Sequence, residues 1–263
     1  DERYARNDYQ RLKGNVLLNS MNWRDKDYDP DNKDGNYRIV VLGDSYTFGW
    51  YINDVEKTFP KILEKQLDDE FSNKKFDVIN AARHGFSPAE ELDRLRDQAI
   101  WFHPNLVIQG VNMWDFNCSI PFFNPPPFIL NSHLYQATVG RIVEIKERLD
   151  TLKSCQGVFS GDSPEFKTAS QKLLDTRNLS EEDGSKYAIL IFPEIGHSYP
   201  NSMYLHQNYH DALKRFGQSN GIQIIDPLDS FLAVSDKSKL VINPADSHPS
   251  ELAHELVTQA IMK

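Results

Sequence analysis

A chain of 263 residues, 40% apolar and 25% charged, carries enough apolar material for a substantial core, which excludes a disordered or fibrous protein. Its formal net charge of -9 excludes the basic face that a nucleic-acid partner requires. Its apolar runs all fall short of the roughly 20 residues that span a bilayer, so no transmembrane segment is expected. The first residue is Asp1 rather than Met, so something upstream is expected to have been removed: a signal peptide, a membrane anchor or an arbitrary boundary.

Residues 1–37 read as an N-terminal extension packing on a single domain over 38–263. Its mixed-sign runs, Asp25-Lys26-Asp27 and Asp31-Asn32-Lys33-Asp34, suit solvated loop. Arg38 to Leu42 has the β-branched character of a strand buried on both faces, and it breaks into Gly43-Asp44-Ser45. An amphipathic helix follows to about Phe71, with Phe59, Ile62, Leu63 and Leu67 on one face. Phe76 to Asn80 is a strand, and Ser87-Pro88 opens a helix through Ile100. After the His103-Pro104-Asn105 turn, Leu106 to Gly110 is the next buried strand.

An irregular insert is expected over about 116–140, with Pro125-Pro126-Pro127, then a helix from Arg141 to Lys153. About 156–185 reads as a polar segment. Lys186–Phe192 is a strand, Tyr204–Asn220 a helix, Gly221–Asp226 a strand, and a loop leads to a last helix from Ser250 to Met262. Such β-α alternation implies an α/β fold with a parallel sheet and right-handed crossovers.

Candidate chemistry gathers where strands end. Ser45 stands at the carboxyl end of the first strand, where open α/β sheets bind ligands, although Asp44 or Ser45 also suits a plain helix cap. Asp246 and His248 are two apart in a turn, so both reach one pocket as the acid and base that a serine nucleophile needs. Gly85 offers a backbone N–H and Asn112 an amide, the donors that a tetrahedral oxyanion requires.

Gly43-Asp44-Ser45, Gly85, Gly110-x-Asn112 and Asp246-x-His248-Pro249 resemble, in order, the four blocks of the SGNH (GDSL-type) hydrolase family. The likeness is to bacterial members that read Gly-Asp-Ser-aromatic-Thr-Phe-Gly, as Gly43 to Gly49 does. It extends to Thr58-Phe59-Pro60, to Ala253-His254 and to Asn19 through Asp25. The resemblance implies a flavodoxin-like three-layer α/β/α sandwich that cleaves or transfers acyl esters without metal or cofactor. Carried across, Ser45 is the nucleophile and an oxyanion donor with Gly85 and Asn112, His248 is the base, and Asp246 orients it.

Two departures stand out. The third block usually reads Gly-x-Asn-Asp, whereas Met113 follows Asn112 here, and a second register would put Trp114 in place of Asn112. Many members also have two residues between acid and base, rather than the one that separates Asp246 from His248. The expected activity is hydrolysis of small, acetyl-like esters, with a small-molecule or carbohydrate alcohol, in a periplasmic or secreted bacterial protein. An O-acyltransferase acting on a cell-surface polysaccharide and a non-catalytic binding module on the same scaffold are the alternatives.

His84 and Trp114 adjoin the blocks and are candidate pocket residues. His206 and His210 share a helical face, yet the local pattern lacks the acidic pair of a metal site, and His254 reads as structural. Cys118 and Cys155 suit either a disulfide or two buried thiols.

Overall fold

The computed structural model describes residues 18–118, 155, 157–160, 162–195, 204–243 and 246–263, apart from the side chains of Asn243 and Asp246. The expected helix over 141–153 and most of the 116–140 insert lie outside these residues. In chain order the main elements are β1 (Tyr37–Leu42), α1 (Ser45–Phe48), α2 (Phe59–Glu70), β2 (Phe76–Asn80), α3 (Pro88–Asp97) and β3 (Leu106–Val111). They continue with α4 (Pro164–Glu182), β4 (Lys186–Ile191), α5 (Gln207–Asn220), β5 (Gln223–Ile225), α6 (Leu228–Ala233), β6 (Val241–Asn243), β7 (Asp246–Pro249) and α7 (Glu251–Ile261).

Strands β1 to β5 form one parallel sheet in the order β2-β1-β3-β4-β5. Successive strand residues face opposite ways, so a strand apolar throughout buries both faces. Val40, Leu42, Val107, Ile189 and Ile191 pack with Leu95 of α3, Leu173 of α4 and Leu213 of α5. Ile39, Val41, Val78, Ile108 and Leu190 pack on the other side with Leu63 of α2, Phe231 of α6 and Val257 of α7. The result is a three-layer α/β/α sandwich.

Helix α4 runs where the sequence suggests only a polar segment. Its buried face carries Ser170, Thr176 and Ser180 beside Phe166, Ala169 and Leu173, so hydroxyls interrupt the apolar period. Thr176 and Ser180 satisfy their own hydroxyls by donating to the carbonyls of Lys172 and Thr176 at 2.9 and 2.8 Å. The Ser163 hydroxyl caps the helix by accepting from the Phe166 N–H at 3.0 Å, and Pro164 opens it. The expected loop before α7 likewise holds a short antiparallel ribbon, β6-β7, whose strands are too short to show a period. Helix α3 ends at Asp97, and a separate 3₁₀ turn covers Ala99–Phe102.

The N-terminal segment corrects a second expectation. Asp25 is fully buried rather than solvated, accepting from Lys61 Nζ at 2.7 Å and from the Asn80 N–H at 2.8 Å. Burial raises its pKa, and the Lys61 ammonium opposes that shift. Arg24, also fully buried, donates to the carbonyls of Phe48, Gly49 and Ile52. Two charged residues thus fasten this segment to α2, to β2 and to the loop after α1. Cys118 and Cys155 are both buried and disulfide-bonded, with Cα atoms 5.2 Å apart.

Two glycines set the distance between α1 and the sheet. A Cβ at Gly43 would stand 2.1 Å from Thr47 Oγ1, and one at Gly110 would stand 2.2 Å from the same atom. Gly110→Ala is therefore expected to overpack this contact and cost about 1–3 kcal/mol in chemical denaturation.

His254 of α7 is buried, accepts the Phe59 N–H on Nδ1 at 3.0 Å and stacks on the Phe59 ring. Burial and the nearby Arg24 guanidinium push its pKa down to about 3. An unfolded histidine protonates near 6.5, so below that pH the unfolded state binds a proton that the folded state refuses. Stability should fall with pH between about 6.5 and 3, by up to about 1.4 kcal/mol per unit from this group. In His254→Asn, which keeps an acceptor for Phe59, pH-dependent denaturation should lose that part of the slope.

Candidate active site

Ser45 is the first residue of α1, immediately beyond the carboxyl end of β1. Asp44 caps the helix, its Oδ1 accepting the Tyr46 N–H at 2.9 Å. Gly49 closes it in the left-handed conformation, with φ of 77°. The Ser45 hydroxyl is nearly buried and stands 2.9 Å from His248 Nε2 and 3.4 Å from Asp44 Oδ2. The shorter contact joins hydroxyl and imidazole, the pairing that lets a histidine take a serine proton. His248 arrives on β7, and its ring is flanked by those of Tyr46 at 5.2 Å and Tyr51 at 5.8 Å. Asp246 begins the same strand, but its side chain lies outside the described residues.

Asn112 follows β3 directly and is buried. Its Oδ1 accepts the Trp114 N–H at 2.8 Å, which fixes the amide orientation and directs Nδ2 to Asp44 Oδ2, also at 2.8 Å. An amide nitrogen carries two hydrogens, and Asp44 takes one. Asp115 Oδ2 accepts the Asn112 N–H at 2.8 Å and closes the turn over Met113–Phe116. Trp114 instead points into an open groove, 37% exposed. Of the two sequence registers, Asn112 is thus the residue whose side chain meets the Gly43-Asp44-Ser45 turn.

Gly85 lies in the loop after β2, exposed and left-handed with φ of 79°. His84 beside it is exposed and stacks on Trp50, ring centroids 4.3 Å apart and planes 12° apart. A groove of about 400 Å³ starts at Asp44 and Gly85 and runs past Phe86 and Trp114 to Thr168 and Lys172 of α4.

Three carboxyls sit behind this site. Burial raises the pKa of Asp44, against the Tyr46 N–H and the Asn112 amide, which lower it. Burial also pushes Asp115 and Glu91 well above the usual range, and the Asp44 charge adds to the rise in both. Glu91 Oε2 accepts from the Gln109 amide at 2.6 Å, and Gln109 Oε1 in turn accepts the Tyr187 phenol.

The other histidines have different settings. His210 is buried, with Nδ1 at 2.9 Å from Asp226 Oδ1 and Nε2 at 2.8 Å from the Tyr204 hydroxyl. Its neighbour His206 is also buried, and burial brings its pKa down to about 4. Glu194, absent from the sequence reading, is buried just past β4 and accepts the Tyr46 phenol at 2.9 Å. The one signal for it in sequence is its position at the carboxyl end of a parallel strand.

No protein-family model matches the sequence, and neither does any curated protein. Solved structures do. A protein assigned to the lipolytic G-D-S-L family, from Desulfitobacterium hafniense DCB-2, aligns at TM-score 0.52 and 13% identity over 86% of this chain and 98% of its own. The lipase/acylhydrolase from Enterococcus faecalis aligns at 0.53 and 14% identity, over 86% and 93% of the two chains. The acetyl xylan esterase AlAXEase aligns at 0.50 and 16% identity, over 86% and 98%. With a five-stranded parallel sheet between two helical layers and a Gly-Asp-Ser turn at its edge, this chain has the fold of the GDSL-type (SGNH) hydrolases.

Proposed function

We propose that this protein is a serine esterase that cleaves small acyl esters through an acyl-serine intermediate. The observation that carries the reading is the 2.9 Å contact between Ser45 Oγ and His248 Nε2, made between segments 203 residues apart. Ser45 Oγ attacks the ester carbonyl while His248 Nε2 takes its proton. The carbonyl oxygen, now negative, is met by the N–H groups of Ser45 and Gly85 and by Asn112 Nδ2. His248 returns the proton to the departing alkoxide, leaving the acyl group on Ser45. Water repeats the sequence, giving its proton to His248, and frees the acid. Asp246 is assigned the role of orienting the imidazole.

The groove beyond Gly85 suits a polar alcohol component. An exposed indole face at Trp114, with the Thr168 hydroxyl and the Lys172 ammonium beside it, is the chemistry that holds a sugar ring. The half-buried carboxyls of Asp44 and Asp115 line the same groove and disfavour a long apolar chain there. The acetyl xylan esterase among the structural neighbours acts on such a substrate, which supports an acetylated carbohydrate. The Cys118–Cys155 disulfide supports an oxidising, extracytoplasmic setting.

Hydrolysis of p-nitrophenyl acetate should show a burst of p-nitrophenol and fall at least about 10³-fold in Ser45→Ala. Asn112→Ala should lower kcat about 10²- to 10³-fold. Trp114→Ala should raise KM more for an acetylated xylo-oligosaccharide than for p-nitrophenyl acetate. Turnover that survives Ser45→Ala would contradict the reading. Acetyl groups delivered to an added oligosaccharide rather than to water would reassign the acceptor and make the protein an acyltransferase.

A further inference from the structure

His248 belongs to the β6-β7 ribbon, which stands outside the five-stranded sheet that carries Ser45. A base brought in on a separate two-stranded ribbon needs something to hold it in place against the nucleophile. The side chain next to Ser45 makes such a contact. The Tyr46 hydroxyl donates to Glu194 Oε2 at 2.9 Å and lies 3.1 Å from Ser247 Oγ. Since its own proton goes to the carboxylate, the phenol oxygen accepts from the serine hydroxyl.

The two contacts run in step. Ser45 meets His248, and one residue further along Tyr46 meets Ser247, one residue back. Both Tyr46 and Glu194 are buried, at 3% and 6% exposure, so their contact is shielded from water. The Tyr46 ring also lies edge-on to Phe192, 5.8 Å away, in the strand end that leads to Glu194. Burial and the Glu194 charge push the Tyr46 pKa well up, so its hydroxyl keeps the proton that it donates.

We propose that Tyr46 is a positioning residue that ties Ser247 to Glu194 and so sets the His248 imidazole at hydrogen-bonding distance from Ser45. This rests on the serine-esterase reading above. Removing the phenol oxygen leaves every side chain that touches substrate chemically intact but frees the ribbon, and His248 with it, to drift by a fraction of an ångström. Proton transfer from Ser45 is sensitive to displacements of that size, whereas substrate binding in the groove past Gly85 is not.

The test follows the second-order rate of labelling by a fluorophosphonate probe, with kcat and KM on p-nitrophenyl acetate, in four proteins: wild type, Tyr46→Phe, Ser247→Ala and the double variant. Each single variant should label about 10-fold more slowly and lose kcat by a similar factor, with KM held within about 2-fold. The double variant should be no slower than the slower single one, because both substitutions cut one link. Unchanged labelling and kcat per folded molecule, even with a lowered Tm, would overturn the proposal, as would multiplicative losses in the double variant. Should Tyr46→Phe fail to fold, Ser247→Ala decides alone: slowed labelling supports the link and unchanged labelling overturns it. Wild-type protein that resists the probe would overturn the serine reading itself and this proposal with it, an outcome visible before any variant is made.

Discussion

Everything at the site depends on how closely the first turn of α1 lies on the sheet. Thr47 occupies a slot that exists because residue 43, just past the end of β1, and residue 110, in the neighbouring β3, have no side chain. A methyl group at either position would drive α1 outward. Ser45, Asp44 and Tyr46 belong to that same turn or its cap, so its seating fixes the hydroxyl, the cap carboxyl and the phenol together. The approach is a steric constraint, and sterics in a packed interior act on single methyl groups.

From that seat the site is assembled by backbone and buried polar contacts. Asp44 serves two neighbours at once, holding the helix N-terminus with one oxygen and the Asn112 amide with the other. The loop after α1 is held from behind by Arg24, which takes the carbonyls of Phe48, Gly49 and Ile52. That loop in turn presents Trp50 to His84 and Tyr51 to His248. Tyr51 adopts a left-handed backbone, with φ of 68°, which a bulky residue takes only when its surroundings over-determine it. The N-terminal segment therefore reaches the surroundings of His248 through a short chain of named contacts.

Much of this was legible in the residues themselves. The β1, β3 and β4 runs are apolar at most positions, which is the signature of strands covered on both faces. Gly43-Asp44-Ser45 alone suits a helix cap equally well, a role Asp44 does fill, and it became readable through its agreement in order with Gly85, Gly110-x-Asn112 and Asp246-x-His248. What stayed hidden has physical reasons. The buried face of α4 uses serine and threonine, with the Thr176 and Ser180 hydroxyls satisfied by the helix's own carbonyls, so its period looks polar. Asp25 looked solvated because its partner, Lys61, is 36 residues away. Glu194 meets Tyr46 across 148 residues, and no local pattern encodes such a contact.

The central claim is that Ser45 attacks a carbonyl whose oxygen then sits between Gly85 and Asn112. A crystal structure of the protein after reaction with a small phosphonate ester, which reproduces the tetrahedral intermediate, tests it most directly. The account predicts phosphorus bonded to Ser45 Oγ, and a phosphonyl oxygen about 2.7–3.1 Å from both the Gly85 nitrogen and Asn112 Nδ2. An adduct on another residue, or a phosphonyl oxygen turned away from Gly85 and Asn112, would contradict it.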